Sequence, residues 1–391
     1  MDTRSSKIQE TNKRRVAIFS LVYLPHFVGG AEIALKEITD RMPSDQFDLH
    51  LITLRAPGDL AEEEKLGNIT VHRILGHLPL ALAKLLYPFA AYRTARSLHR
   101  ERPFVHIWSI MAAYGGFAAL FFKYRFSNIR FLLTLQEGDP IPYIKRRARF
   151  VYPLFKRIFT RADAVQAISS YLADWAKEMG ARSVEVVPNG VDVEGFKTKV
   201  AEESIRILRN ELLIREDEKV LITTSRLVEK NAVGDVIESL QYLPNNIKFL
   251  ILGVGPLEDR LRAQVGELKL ANRVLFLGHV PYEKLPLYLQ ASDVFIRPSI
   301  SEGMGNSFIE AMAAGIPVIA TPVGGIPDFL KDKETGLFCA VHDPKDIARK
   351  VTILLRDRDI LSYVVGNAQR LVSGRHEWSH IARKMQGILS V

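Results

Sequence analysis

A single cysteine, Cys339, stands in a chain of 391 residues. One thiol excludes an intrachain disulfide and a cysteine-built metal site, and it suits a reducing compartment. Long apolar runs are also missing. The stretch 78–91 comes nearest, but Lys84 interrupts it and it is too short to span a bilayer. The first residues, Met1 to Arg15, are polar and charged, without the apolar core of a signal peptide. These absences predict a cytoplasmic protein that is not integral to a membrane. There is no fixed-period repeat, no low-complexity segment and no Asp-x-Asp metal motif at a strand end, so no metal is expected.

What is present is a soluble, globular composition, 47% hydrophobic and 25% charged, long enough for two ordinary domains. Short apolar runs alternate with amphipathic stretches: 16–19, 49–54, 104–107, 129–134 and 164–167, then 220–224, 247–252, 274–277, 294–296 and 318–320. Runs buried on both faces and separated by helical patterns indicate parallel sheets in βαβ units. The fold class is therefore α/β, with two doubly wound Rossmann-like domains. The sequence Val187-Pro188-Asn189-Gly190-Val191-Asp192 ends a strand, and polar residues 195–204 lead onward. The expected division is 1–195, 196–375, and a C-terminal helix in 376–391 packing back on the first domain. Trp378, Ile381, Met385, Ile388 and Leu389 recur at helical spacing there.

The strongest chemical signal runs from Ser301 to Pro317. Gly303 and Gly305 make a loop, and Asn306 is placed as the N-cap of a helix whose first turn includes Ser307. Free backbone N–H groups and the helix dipole there form an anion site. Glu302 precedes the helix and Glu310 lies inside it. A carboxylate on each side of a phosphate-binding helix start can accept hydrogen bonds from hydroxyls flanking a diphosphate, one set on a sugar and the other on a ribose.

With this motif in place, the chain resembles the retaining GT-B glycosyltransferases of family four over nearly its whole length. The resemblance also rests on Gly29-Gly30-Ala31-Glu32, Pro188-Asn189-Gly190-Val191-Asp192, Ser225-Arg226-Leu227-Val228-Glu229-Lys230, Gly253-Val254-Gly255-Pro256 and Pro322-Val323-Gly324-Gly325-Ile326-Pro327, in the family's order. It implies the GT-B architecture, two Rossmann-like domains facing across a cleft, with acceptor recognition in the first and nucleotide-sugar binding in the second. It further implies a hexosyltransferase-like enzyme with a nucleoside-diphosphate sugar as donor substrate and neither cofactor nor metal.

By the same resemblance, Gly29 and Gly30 bring backbone amides near the donor phosphate. Arg226 and Lys230 neutralise the leaving diphosphate. Gly253, Gly255 and Val280, with His279, shape the base pocket. Gly303, Asn306 and Ser307 line the phosphate site, Glu302 holds sugar hydroxyls and Glu310 the ribose. Gly324 and Gly325 either border the sugar or turn the chain.

Two residues depart from the family pattern. Gln136 stands where a histidine is common near the anomeric carbon, and glutamine cannot titrate near neutral pH. Asp328 stands where glutamate is usual. Glu137 and Asp139 beside Gln136 are candidates for acceptor contact or general base. The departure at Gln136 keeps a second reading open, a sugar-nucleotide-binding module without turnover. Another GT-B enzyme, a phosphorylase or an epimerase, is the third.

Charge is uneven. The whole chain carries +9, yet between Lys84 and Arg161 fifteen Lys or Arg face three acids, an excess of twelve. Aromatics are interleaved there, which suits an anionic membrane surface or anionic acceptor. A solvated face and a nucleic-acid surface are the alternatives, and a nucleic-acid binder would have no use for the glutamate motif. The expected partners are thus a nucleotide sugar, a glycan or lipid-linked acceptor, and the inner face of the cell membrane by peripheral contact.

Overall fold

The computed structural model describes residues 13–25, 29–55, 58 and 60–390. Backbone contacts divide the chain into two units, 1–189 with 378–391, and 190–377. The expected boundaries at 195 and 375 both move. Val191 bridges Glu377 and its N–H donates to the His376 carbonyl at 2.7 Å, while Phe196 packs edge-on against Tyr282. These contacts place residues 190–197 with the second unit.

In the first unit the strands are β1 (Arg14–Phe19), β2 (Phe47–Leu54), β3 (Glu63–Leu66), β4 (Ile69–Ile74), β5 (His106–Ile110), β6 (Arg130–Leu135), β7 (Ala164–Ala167) and β8 (Val184–Val186). Among the described residues they form one sheet in the order β3-β4-β2-β1-β5-β6-β7-β8. All neighbours are parallel except β3 and β4. Val16 to Phe19 are fully buried, as expected for a strand covered on both faces. The winding direction reverses between β1 and β5, so the loops after those strands diverge from one point.

The second unit contains β9 (Lys219–Thr224), β10 (Ile247–Leu252), β11 (Val274–Gly278), β12 (Val294–Arg297), β13 (Val318–Ala320) and β14 (Leu337–Phe338). Their order is β11-β10-β9-β12-β13-β14, parallel throughout. The reversal here lies between β9 and β12. In an open parallel sheet this is where ligands bind, outside the carboxyl ends of the strands.

The helix Trp378–Ser390 packs against the helix Gly30–Asp40 of the first unit. Trp378, Ile381, Met385 and Leu389 are buried in one cluster with Tyr23, Leu35, Trp108 and Val187. Arg14 ties the far end through a 3.0 Å bond to the Ser390 carbonyl. Trp378 is 1% exposed, so truncating it leaves a large void in a close-packed core. Trp378→Ala is expected to destabilise the first unit by about 3–5 kcal/mol. Denaturant melts followed by fluorescence check this, because the remaining tryptophans, Trp108 and Trp175, both lie in that unit.

Candidate functional site

At the reversal point of the second unit, the loop after β9 carries Arg226 and Lys230, and the loop after β12 carries Glu302. The two loops are joined: the Ile300 N–H donates to the Lys230 carbonyl at 2.7 Å. Arg226 is exposed and Lys230 half-buried. Asn231 holds the turn between them by donating to the Arg226 carbonyl at 2.7 Å.

The loop after β10 is pressed on the loop after β9. A side chain on Gly253, at φ 140°, would fall on the Ser225 carbonyl, and one on Gly255 would fall on the Leu227 backbone. Leu227 N–H donates to the Val254 carbonyl at 3.1 Å, and Leu257 N–H to the Leu227 carbonyl at 3.1 Å. These glycines thus fix the backbone that presents Arg226. Beyond them, His279 is exposed and Val280 half-buried in the loop after β11.

The helix Asn306–Ala313 begins one residue away from the expected cap. Gly305 occupies the N-cap with no side-chain hydrogen bond, and Asn306 is the first helical residue. A side chain at Gly305 would collide with the Arg297 guanidinium and the Phe308 ring, which excludes an ordinary capping residue. Gly303 and Ser307 are buried beside it. Gly324 and Gly325 grip the Glu302 backbone: a Cβ on Gly324 would overlap the Glu302 carbonyl oxygen, and Gly325 N–H donates to that oxygen at 3.1 Å. The turn Ile326–Asp328 follows, with Asp328 exposed.

Arg297, the last residue of β12, was not expected at the site. It is buried, and its Nη2 donates to Glu302 Oε2 at 2.8 Å while Nη1 donates to Ser307 Oγ at 2.8 Å. Its guanidinium lies 4.2 Å from the Phe308 ring centre, and Glu302 Oε1 accepts from Gly303 N–H at 3.0 Å. Burial pulls the arginine below its ordinary range, opposed by Glu302 and Glu310. Burial likewise pushes the Glu310 carboxyl up to about 7, with Arg297 holding it down. A charged residue ending an apolar strand was the available signal, since a buried arginine requires carboxylate partners.

Around the same strand ends, six buried polar atoms lack a hydrogen-bond partner among the described residues: Thr223 Oγ1, Thr224 Oγ1, Ser225 Oγ, Asn231 Oδ1, Arg297 Nε and Ser299 Oγ. Buried polar groups are normally satisfied, so six together make these strand ends unusual for a closed interior.

In the first unit, Gly29 is the extended N-cap of Gly30–Asp40. The space a side chain would fill there is taken by Glu32 Oε2, 2.6 Å from the position of a Cβ. Gln136, after β6, is half-buried, and its Oε1 accepts from Asn189 Nδ2 at 3.2 Å. Glu137 Oε1 accepts from Ala112 N–H at 2.7 Å, joining the loops after β5 and β6. Its other oxygen is buried without a hydrogen-bond partner among the described residues, and burial pushes the carboxyl up to about 7 against the pull of the Ala112 N–H. Glu137 therefore straps two loops, whereas Asp139 is exposed.

Comparison with known proteins agrees with this geometry. Residues 28–194 match the model of Glycosyltransferase Family 4, and residues 204–371 that of Glycosyl transferases group 1. An uncharacterized glycosyltransferase of Methanocaldococcus jannaschii is 29% identical over 388 residues, 96% of this chain and 98% of its own. A GDP-mannose-dependent alpha-(1-6)-phosphatidylinositol monomannoside mannosyltransferase of Mycobacterium tuberculosis is 30% identical over 248 residues, 60% of this chain and 64% of its own. Among solved structures, sucrose-phosphate synthase of Thermosynechococcus elongatus superposes with a TM-score of 0.84 at 20% identity, covering 96% of this chain and 98% of that one. HepE of Anabaena, solved with UDP-glucose, gives 0.80 at 20% identity, covering 96% and 99%. Two parallel-sheet units, the glutamate motif at the second unit's reversal point and both family models together identify the chain as a GT-B glycosyltransferase of group 1.

Proposed function

We propose that the enzyme is a retaining transferase that moves a sugar from a nucleoside diphosphate to a lipid-linked or polysaccharide acceptor. The observation that carries this reading is the meeting, at the reversal point of the second unit, of the loop bearing Arg226 and Lys230 with the loop bearing Glu302, joined by the Ile300 N–H to the Lys230 carbonyl at 2.7 Å. A diphosphate with a sugar on each side matches cations on one loop and carboxylates on and after the other. The N–H groups opening Asn306–Ala313 and the cations Arg226 and Lys230 take the phosphate oxygens. Glu302 accepts from hydroxyls of the transferred sugar and Glu310 from the ribose.

In the reaction, the bond from the anomeric carbon to the diphosphate oxygen breaks and a bond to the acceptor oxygen forms on the same face. The acceptor's proton passes to the departing diphosphate, so no titrating group is needed at Gln136. Arg226 and Lys230 meet the charge that grows on the leaving group, which favours the transition state over the bound substrate. Their two positive charges supply the neutralisation a metal would otherwise provide. The lipid-linked acceptor draws support from the mycobacterial relative, whose name gives a phosphatidylinositol monomannoside as its substrate.

Membrane contact draws support from the first unit's surface. Leu85 and Phe89 on the helix Leu80–Glu101 are 68% and 58% exposed, and Phe150 is 83% exposed under Arg149, 4.3 Å away. Arg146 and Arg147 flank the Tyr143 ring at 5.5 and 5.7 Å. Apolar side chains beside arginines that make no ion pair among the described residues suit an anionic bilayer surface, each cation contributing roughly 1 kcal/mol.

Removing the Glu310 carboxylate is expected to weaken nucleoside-diphosphate binding by about 1.5–3 kcal/mol. Calorimetry of Glu310→Ala with UDP and GDP tests the donor site, and unchanged affinity takes Glu310 out of the ribose role. Neutralising Arg226 and Lys230 together is expected to lower kcat by about 10²–10³-fold or more, with a smaller change in donor affinity. A near-normal kcat contradicts the leaving-group assignment. On vesicles, the protein is expected to sediment with anionic lipid, to stay in solution with neutral lipid, and to be released by high salt. Charge reversal at Arg146, Arg147 and Arg149 abolishes sedimentation without touching nucleotide binding. Wild-type protein remaining in the supernatant with anionic vesicles at low salt ends the membrane reading.

A further inference from the structure

Resting on the donor-site reading above, we propose that Arg297 is its positioning residue. One guanidinium, fastened to Glu302 and to Ser307 on the helix that carries Glu310, serves both substrate-binding carboxylates at once. Its two outer nitrogens are committed in different directions. Nη2 holds Glu302 Oε2 at 2.8 Å and Nη1 holds Ser307 Oγ at 2.8 Å on the first turn of Asn306–Ala313. The loop residue and the helix are thereby set in register by one rigid, planar group. The Phe308 ring on the guanidinium's face fixes the plane in which both bonds lie.

The electrostatic consequence follows from burial. Glu310 is 7% exposed, and among the described residues Arg297 is the charge that acts on it. Arg297 in turn answers to Glu302 and Glu310. The helices Val193–Lys197 and Arg358–Arg375, packed against Asn306–Ala313, add no charge to either balance. Glu302 and Glu310 therefore compete for a single cation. Glu310 sits at about 7 with Arg297 present, so its acceptor form is lost as the pH falls through neutrality. Removing the cation raises that midpoint, and removing the competitor lowers it. Nucleotide affinity at neutral pH is then set by a residue that does not touch the nucleotide.

The test is the pH profile of UDP and GDP affinity between pH 5.5 and 9, by calorimetry. Wild-type affinity is expected to decline as the pH drops through about 7, and Glu310→Gln to lose that decline. In Arg297→Met the limb moves upward by a unit or more, about tenfold weaker binding at pH 7 that recovers toward pH 9. Arg297→Lys, which keeps the charge without the fork, leaves the limb near its wild-type position while lowering kcat. Glu302→Gln moves the limb downward, and this opposite shift decides the matter if Arg297→Met does not fold. A folded Arg297→Met or a Glu302→Gln with the wild-type profile overturns the proposal, as does a limb that survives in Glu310→Gln. Absence of UDP and GDP binding across the whole range in wild type overturns the donor-site reading itself.

Discussion

A parallel sheet cannot turn back on itself at a strand end. Each strand must be followed by a crossover over one face, so every loop that follows a strand emerges on the same side of the sheet. When the crossovers proceed outward in both directions from the middle, the loops after the two central strands part from each other and leave a gap. In the second unit those strands are β9 and β12. The cations come from one loop and the glutamates from the other because only these two loops border that gap.

The gap is costly to leave lined with polar atoms, and the surrounding backbone shows how it is kept in shape. Glycines at 253 and 255 let the loop after β10 lie directly on Ser225–Leu227, and Gly324 lets another loop lie on Glu302. Where those contacts are backbone to backbone, even a methyl group is excluded, so the loops are held by backbone hydrogen bonds that only glycine leaves room for. Arg297 completes the arrangement from below. Breaking a buried ion pair by removing one member costs more than never having made it, so Glu302 is committed to its presence.

The apolar runs made most of the sheets legible in advance, since strands buried on both faces need no alternation to be recognised. Runs 164–167, 247–252 and 318–320 coincide with β7, β10 and β13. The strands that escaped notice are β3, β4 and β14. Of these, β3 is an edge with exposed and charged side chains and β14 is two residues long, so their burial pattern carries little signal, whereas β8 was marked only by the Pro and Gly that end it. The glutamate loop was legible because a helix start, two carboxylates and a Gly-x-Gly are local in sequence. Arg297 was not, because its importance lies in burial and in partners five and ten residues away. The cap was misread for a similar reason: Asn306 looks like a cap until the arginine beneath Gly305 shows that no side chain fits there.

The first unit is assembled from two separated stretches of chain, with the second inserted between them. Trp378, Ile381, Met385 and Leu389 fill its core, yet they leave the ribosome only after the whole of the second unit. The residues up to 189 therefore emerge before the helix that closes their interior. They wait, with Tyr23, Leu35 and Val187 uncovered, while the second unit, whose chain is continuous, can fold in the interval. Vectorial synthesis usually lets the leading domain fold first. In this chain the order of completion is reversed, and the nascent first unit is the stretch with most need of protection from aggregation.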